Sequence, residues 1–108
     1  MTRAALDLMM SEERLLDTFR QAARLGGWRT YHTRDSRKSE QGFPDLILVR
    51  DRECIAAELK TERGRVTDAQ RDSLACLDRV PGVEVHVVRP NMLDAFLERL
   101  ARRTRKRP

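Results

Sequence analysis

Two apolar segments separated by only two residues constrain the fold of this chain more than any other feature. The first is 45–50 (Asp-Leu-Ile-Leu-Val-Arg), the second is 53–59 (Glu-Cys-Ile-Ala-Ala-Glu-Leu), and Asp51 and Arg52 lie between them. A connection this short joins antiparallel neighbours. The pattern therefore predicts a β-hairpin. Its near-continuous apolar character predicts burial on both faces, at the centre of a sheet.

Amphipathic segments on either side of the hairpin predict the layers around the sheet. A helix is predicted over 11–25, because Ser11 is a suitable N-cap and Gly26-Gly27 ends the helical pattern. The remaining predicted elements are a strand at 28–32, a helix at 67–80, a strand at 83–88 and a last helix that begins at Pro90. The order α-β-β-β-α-β-α predicts an α/β fold with a mixed central sheet flanked by helices.

The basic excess of the chain lies at its end. The 108 residues carry 22 Lys and Arg against 17 Asp and Glu, a formal net charge of +5. The last ten residues hold six basic side chains and no acidic one, which leaves 16 basic and 17 acidic groups, a net of −1, in residues 1–98. We therefore expect one domain over 1–100 and a basic tail at 101–108 that adds salt-sensitive phosphate contacts without sequence preference.

The sequence carries no pattern typical of membrane or secreted proteins. No apolar run is long enough to span a membrane, and the first ten residues lack the apolar core of a secretion signal. The two cysteines, Cys54 and Cys76, match neither a disulfide framework nor a zinc-binding spacing. We expect a cytoplasmic protein without a membrane partner.

The register of the predicted hairpin brings three charged side chains together. If the turn is centred between Asp51 and Arg52, the numbers of paired residues sum to 103, and Asp45 lies opposite Glu58. Opposed residues point to the same face, with Cβ atoms about 4.5–5.5 Å apart, and Lys60 lies two residues further on that face. A loop of odd length would shift this register, and Asp-Arg is not a favoured two-residue turn.

Two opposed carboxylates and a lysine suit the hydrolysis of phosphodiesters. The carboxylates repel one another unless a cation joins them or one is protonated. A hard divalent ion such as Mg²⁺ takes carboxylates, a backbone carbonyl and waters as ligands, and it lowers the pKa of a bound water. Lys60 would orient the nucleophile or stabilise the charge of the transition state. The alternative is a solvated or ion-paired cluster at a strand end, since Glu-x-Lys occurs by chance in many proteins.

The acidic hairpin resembles the Pro-Asp…Glu-x-Lys signature of the PD-(D/E)XK nuclease superfamily. More narrowly, the chain resembles the VRR-NUC family (virus-type replication-repair nucleases), in the short stand-alone form found in phages and bacteria. The resemblance runs from about Ser11 to Leu100 and implies a restriction-endonuclease-like fold. It rests on the order and spacing of a Glu-bearing first helix, Tyr31-His32 with Asp35-Ser36-Arg37, Gly42-Phe43-Pro44-Asp45, Glu58-Leu59-Lys60 and Thr67-x-x-Gln70.

The resemblance implies roles for individual residues. Asp45 and Glu58 would ligate Mg²⁺ or Mn²⁺ together with the backbone carbonyl of Leu59, and Lys60 would be the catalytic lysine. Gln70 matches a glutamine that the family places near the site. Because Thr67-x-x-Gln70 also has the pattern of a helix capping box, a purely structural role for Gln70 stays open.

The resemblance also implies a metal-site acid on the first helix, which is either Glu12 or Glu13. Glu12 precedes Leu15, Leu16 and Phe19 by three, four and seven residues, which places it on the apolar stripe and Glu13 at the edge. We therefore favour Glu12 as a catalytic and metal-binding residue. The alternative is that both are first-turn acids that complement the helix dipole.

Basic residues in two loops flank the open end of the hairpin. One loop follows the first strand and the other follows the Glu-x-Lys motif. Either set could contact DNA phosphates, and the alternative is that they are solvated loop residues. The predicted DNA contacts are Arg34, Arg37, Lys38, Arg63 and Arg65.

The function expected from the resemblance is hydrolysis of DNA phosphodiester bonds by metal-activated water, leaving 5′-phosphate and 3′-hydroxyl ends. Stand-alone relatives are typically homodimers that cut branched DNA such as Holliday junctions, so we expect a homodimeric, structure-selective endonuclease in the cytoplasm of a bacterium or a phage-infected host. Two alternatives stay open. One is a nicking, restriction-type or flap nuclease of the same fold. The other is a DNA-binding module without activity, whose signature would be the loss of Asp45, Glu58 or Lys60.

Overall fold

The structure, a computed structural model that describes residues 1–33 and 41–103, is a four-stranded mixed sheet flanked by helices. The strands, in their spatial order, are β1 (Arg29–His32), β2 (Leu46–Arg50), β3 (Glu53–Leu59) and β4 (Val83–Val88). The helices are α1 (Arg3–Met9), α2 (Glu12–Leu25), α3 (Asp68–Asp78) and α4 (Leu93–Ala101), with a 3₁₀ turn at Pro90–Met92. In the described ranges no helix is both long and apolar enough to cross a membrane.

The predicted α/β architecture is confirmed, and one short helix is added to it. Helix α1 has seven residues and none of them is buried, so the sequence carries no apolar stripe that would predict it. Ser11 caps α2 as predicted, because its side chain accepts a hydrogen bond from the Arg14 amide. Strands β3 and β4 have the predicted bounds.

The predicted hairpin register is confirmed. Strands β2 and β3 are antiparallel, with Arg50 opposite Glu53 and Leu46 opposite Ala57, so the paired numbers sum to 103. Asp51 closes the turn with a φ of 51°, a left-handed conformation that Asp and Asn adopt more readily than most residues. Strand β1 pairs antiparallel with β2, whereas β4 pairs parallel with β3 and is reached through α3.

The main core lies between one face of the sheet and the helices α2 and α4. The rings of Phe19 on α2 and Phe96 on α4 meet there with centroids 5.9 Å apart. The other buried apolar residues of this cluster are Leu15, Ala23, Trp28, Leu46, Leu48, Ile55, Ala57, Leu59, Val88, Leu93 and Leu100. The inward face of the sheet is therefore the face that carries Leu46 and Leu48.

The opposite face of the sheet is only partly covered. Residues 55–59 of β3 are all buried, as expected for a central strand. Strand β2 instead alternates, with Ile47 half-buried and Val49 exposed. The expectation of burial on both faces is thus wrong for β2, because α3 packs chiefly against β4.

A buried arginine, Arg50, ties the hairpin to the ends of two helices. Its Nε donates to Glu53 Oε2 at 2.9 Å, and its Nη1 donates to the carbonyls of Gly26 at 2.9 Å and Leu100 at 3.0 Å. Its Nη2 donates to the carbonyl of Arg102. The guanidinium therefore satisfies carbonyls at the carboxyl ends of α2 and α4 that the helices themselves leave unpaired.

Trp28 completes this cluster beside Arg50. The guanidinium carbons of Arg50 and Arg99 lie 4.2 and 5.4 Å from the centroid of its ring. Its indole Nε1 donates to the Leu100 carbonyl at 2.9 Å. A Cβ at Gly26 would collide with that carbonyl, so a glycine is required for the close approach. The turn end of the hairpin is thereby fixed to the helices.

We predict that Arg50→Met lowers the free energy of unfolding by about 3–5 kcal/mol, because it leaves buried carbonyls and Glu53 without their partner. The measurement is equilibrium unfolding in urea. Arg52→Met is the matched control, since Arg52 is the exposed arginine of the same turn, and it should change stability little. Equal effects of the two variants would contradict the assigned role of Arg50.

Candidate active site

The two acidic residues of the predicted site lie together at the open end of the hairpin. The β2–β3 register, extended by one residue, places Asp45 opposite Glu58 on the same face of the sheet. The amide of Leu59 donates to Asp45 Oδ2 at 2.8 Å. The carbonyl of Asp45 accepts from the Thr33 amide at 3.1 Å. Asp45 is thus held from both neighbouring strands.

Glu58 is a buried carboxylate with little compensation for its charge. Its side chain is 2% exposed, and Lys60 Nζ lies 3.7 Å from Oε2. Among the described residues, Oε1 is buried without a hydrogen-bond partner. Burial, together with the negative charge of Asp45, raises the pKa of Glu58 to about 7, although the positive charge of Lys60 opposes this shift. The site therefore has a deficit of positive charge.

Gln70 contacts both the first turn of α3 and the candidate site. Its Oε1 accepts from the Thr67 amide at 2.9 Å, and its own amide donates to Thr67 Oγ1 at 3.1 Å, which completes the capping box. Its Nε2 donates to Glu58 Oε2 at 2.9 Å. One side chain therefore caps α3 and orients the buried carboxylate.

The loop after Lys60 is organised by Arg89, a residue that the sequence analysis missed. Arg89 Nη1 donates to the carbonyls of Thr61 at 2.7 Å, Glu62 at 3.2 Å and Gly64 at 2.8 Å. The parallel pairing of β3 with β4 carries the signal that would have found it. That pairing extends one residue beyond Leu59 and Val88 and places residue 89 beside Lys60.

The predicted DNA-binding arginines of this loop are exposed near the site. Arg63 and Arg65 are both exposed. Arg65 also lines a cavity of about 580 Å³ at the start of α3, together with Arg71 and Arg89. The other predicted DNA contacts, Arg34, Arg37 and Lys38, lie outside the described residues, as do 104–108 of the basic tail.

The structure does not choose between Glu12 and Glu13. Both line a cavity of about 150 Å³ whose wall also includes His32, Asp45 and Leu59. Both are exposed, so the prediction that Glu12 lies on a buried stripe is wrong. The reason is that the buried stripe of α2 begins one turn later, at Leu15, while the first turn lies at the rim of the cavity.

Asp45 and Glu58 are the acidic pair that the structure brings together. Within 1–33 and 41–103, no group of three or more His, Cys, Asp or Glu side chains is close enough to hold a metal ion by itself. Among the described residues, Asp45 and Glu58 are therefore the paired carboxylates available to a cation at this place, and Leu59 lines the adjoining cavity. Glu12 and Glu13 contribute to that wall and not to the central pair.

The mixed sheet, with paired acids and a lysine where its central hairpin opens, defines a nuclease-like α/β domain. A model of the VRR-NUC domain family matches residues 5–91 of the chain. The chain belongs to this family, which places it among the nucleases of the PD-(D/E)XK superfamily, with DNA as the substrate. Neither a curated protein nor a solved structure matches the chain.

We predict that Glu58→Gln stabilises the metal-free protein at pH 8 by about 1–3 kcal/mol. A carboxyl whose folded pKa is raised from 4.5 to about 7 favours folding at low pH, and this contribution is lost as the pH rises from 4.5 through 7. The glutamine removes the charge that is costly to bury. At pH 4 the two proteins should be nearly equal in stability.

The measurement is urea unfolding in EDTA at both pH values. Glu98→Gln is the control, because Glu98 is exposed, and it should have little effect at either pH. A wild-type protein more stable than Glu58→Gln at pH 8 would contradict this prediction. It would show that the charge of the Glu58 carboxylate is stabilised by an interaction that the structure does not show.

Proposed function

We propose that this chain is a Mg²⁺- or Mn²⁺-dependent DNA endonuclease whose metal ligands are Asp45, Glu58 and the carbonyl of Leu59. The observation that carries the proposal is the state of Glu58: its carboxylate is buried opposite a second acid, and one oxygen lacks a partner among the described residues. A site that only stabilised the fold would be more favourable with an uncharged side chain. A divalent cation supplies the missing charge.

The donor set supports a hard cation. Carboxylate and carbonyl oxygens are the ligands that Mg²⁺ prefers, and Mg²⁺ commonly keeps several waters when only one or two carboxylates bind it. Two carboxylates on one face, with Leu59 lining the adjoining cavity, match that preference. Glu12 or Glu13 is close enough to this cavity to act through a water or on the substrate side.

Each residue of the site has a separate role in the proposed hydrolysis. A bound divalent ion supplies Lewis acidity, lowering the pKa of a water and offsetting phosphate charge. Asp45 is fixed by the Leu59 amide and Glu58 by Gln70 Nε2, so both carboxylates are oriented before substrate arrives. Lys60, 9% exposed beside Glu58, would contact the phosphate where charge develops.

The proposal includes a homodimer that acts on branched DNA such as a Holliday junction. One chain offers one Asp45–Glu58 pair, and symmetric cutting of two strands needs two such pairs related by a two-fold axis. Arg63 and Arg65, exposed in the loop that follows Lys60, would contact the backbone of the strand being cut. Such contacts hold DNA without reading its sequence, which leaves recognition to the shape of the substrate.

We predict metal-dependent cleavage of at least one DNA from a matched panel of junction, flap, nicked and linear substrates. Cleavage should require Mg²⁺ or Mn²⁺ and stop in EDTA. Lys60→Ala should bind DNA but cut it about 10²–10³-fold more slowly, the usual cost of removing one group that stabilises the transition state. Arg79→Ala, the same loss of charge at an exposed position beyond the far end of α3, should cut normally.

The panel also separates the alternatives. Preferred cutting of the flap or nicked substrate would replace the junction in this proposal while leaving the chemistry intact. Binding with no cleavage of any substrate in either metal would contradict the proposal of an active enzyme.

We predict that Mg²⁺ and Mn²⁺ raise the melting temperature of the wild-type protein at pH 8 in the absence of DNA. A cation that binds only the folded state stabilises it by mass action, and it also relieves the repulsion between Asp45 and Glu58. Asp45→Asn and Glu58→Gln should lose most of this increase, whereas Glu98→Gln should retain it. An equal increase in all four proteins would place the cation elsewhere.

A further inference from the structure

An exposed aromatic residue, Phe43, lies two positions before Asp45. Its side chain is 44% exposed and lines two separate clefts. The first, about 300 Å³, we call the Phe43 cleft; its walls are Tyr31, His32, Thr33, Phe43 and Ile47. The second lies against α3. Phe43 thus lines two depressions close to Asp45 in the chain.

The backbone on both sides of Phe43 is fixed. Gly42 has a φ of 85°, and a Cβ there would collide with the carbonyl of Ala69 in the first turn of α3. Pro44 is fully buried, and its carbonyl accepts a hydrogen bond from Thr33 Oγ1 at 3.3 Å. Phe43 is therefore exposed because its neighbours are immobilised, and not because the segment lacks contacts.

Tyr31 supplies a second exposed aromatic surface in the same cleft. It pairs with Ile47 across β1 and β2 and is 54% exposed. Leaving such rings exposed to water is unfavourable, because the burial of apolar surface stabilises a protein. Two rings on one small cleft, with His32 and Thr33 as polar neighbours, are suited to a planar group with an aromatic face and polar edges.

The Phe43 cleft adjoins the candidate active site. His32 lines this cleft and also the cavity that Asp45 and Leu59 line. A DNA strand whose phosphate lay at Asp45 would therefore pass close to the cleft with a neighbouring nucleotide. Bases stack on aromatic side chains with little dependence on sequence, and only an unpaired base offers a free face.

We propose that Phe43 and Tyr31 form a stacking platform for an unpaired base next to the phosphate that is cut. The proposal rests on the proposed function in one respect, that the DNA strand passes Asp45. It makes Phe43 a specificity-determining residue, because a fully paired duplex presents no base to the platform. Branched DNA, with unpaired or easily opened nucleotides, does.

The test measures stacking without cleavage. The probe is 2-aminopurine at a single unpaired position in a DNA duplex, with a fully paired duplex of the same sequence for comparison, titrated in EDTA at low salt. The variants are Phe43→Ala, Phe43→Leu, which keeps an apolar side chain without the ring, and Tyr31→Leu. Leu25→Ala is the control, because Leu25 is an exposed apolar residue at the carboxyl end of α2.

The wild type and Leu25→Ala should quench the fluorescence. Phe43→Ala and Phe43→Leu should lose the quenching and bind the unpaired substrate about tenfold more weakly, with duplex affinity unchanged. Tyr31→Leu should lose part of both effects. Unchanged quenching in Phe43→Ala overturns the proposal, because the base then does not stack on Phe43. Wild-type behaviour of Phe43→Leu also overturns it, because an apolar side chain without a ring would then be sufficient.

Further outcomes distinguish this inference from the proposed function. A wild type that stacks the base but cuts no DNA contradicts the nuclease proposal alone. A wild type that cuts DNA without quenching that depends on Phe43 contradicts the platform alone, and failure to bind either DNA contradicts both. Sedimentation velocity completes the test, because a Phe43→Ala protein that changes from dimer to monomer identifies the face as an interface between copies and overturns the platform.

Discussion

The pairing register of β2 with β3 is the constraint on which the candidate site depends. A slip of one residue would move Asp45 to the face opposite Glu58, since neighbouring strand residues alternate between faces. The register is held at the turn by the Arg50–Glu53 pair, whose members lie directly opposite one another. Arg50 also binds carbonyls at the ends of α2 and α4. Packing at one end of the hairpin therefore determines which charges meet at the other.

The same arrangement couples the stability of a helix to the chemistry of the site. Gln70 caps α3 through Thr67 and donates to Glu58, so a change in the first turn of α3 would also move the carboxylate. Arg89 has a comparable position on the other side of Lys60, where it holds the carbonyls of the following loop. Gln70 contacts Glu58 directly, whereas Arg89 holds the loop that follows Lys60. The site is preorganised by side chains that need not touch the substrate.

The sequence predicted what local patterns determine and missed what depends on tertiary contacts. The hairpin, the capping box at Thr67 and strand β4 each follow from short-range periodicity or spacing. The burial of Arg50 does not, although Arg50 is in phase with the inward residues of β2, because a charged strand end is usually solvated. Arg89 becomes visible only once β3 and β4 are paired in parallel. Helical periodicity correctly aligned Glu12 with the apolar stripe of α2, but it did not show that the buried part of the stripe begins after Glu12.

One face of β2 is partly exposed because α3 packs chiefly against β4. This exposed face is relevant to how such a small domain would distinguish DNA shapes. Charge alone attracts any nucleic acid, and residues 1–98 have a net charge of only −1. In the proposed function, the exposed arginines of the loop after Lys60 contact backbone phosphates, which branched and linear DNA share. Discrimination therefore requires contacts that phosphates cannot provide. The exposed apolar and aromatic side chains beside Asp45 are available for such contacts, and the open face of the sheet is the place where the fold leaves them accessible.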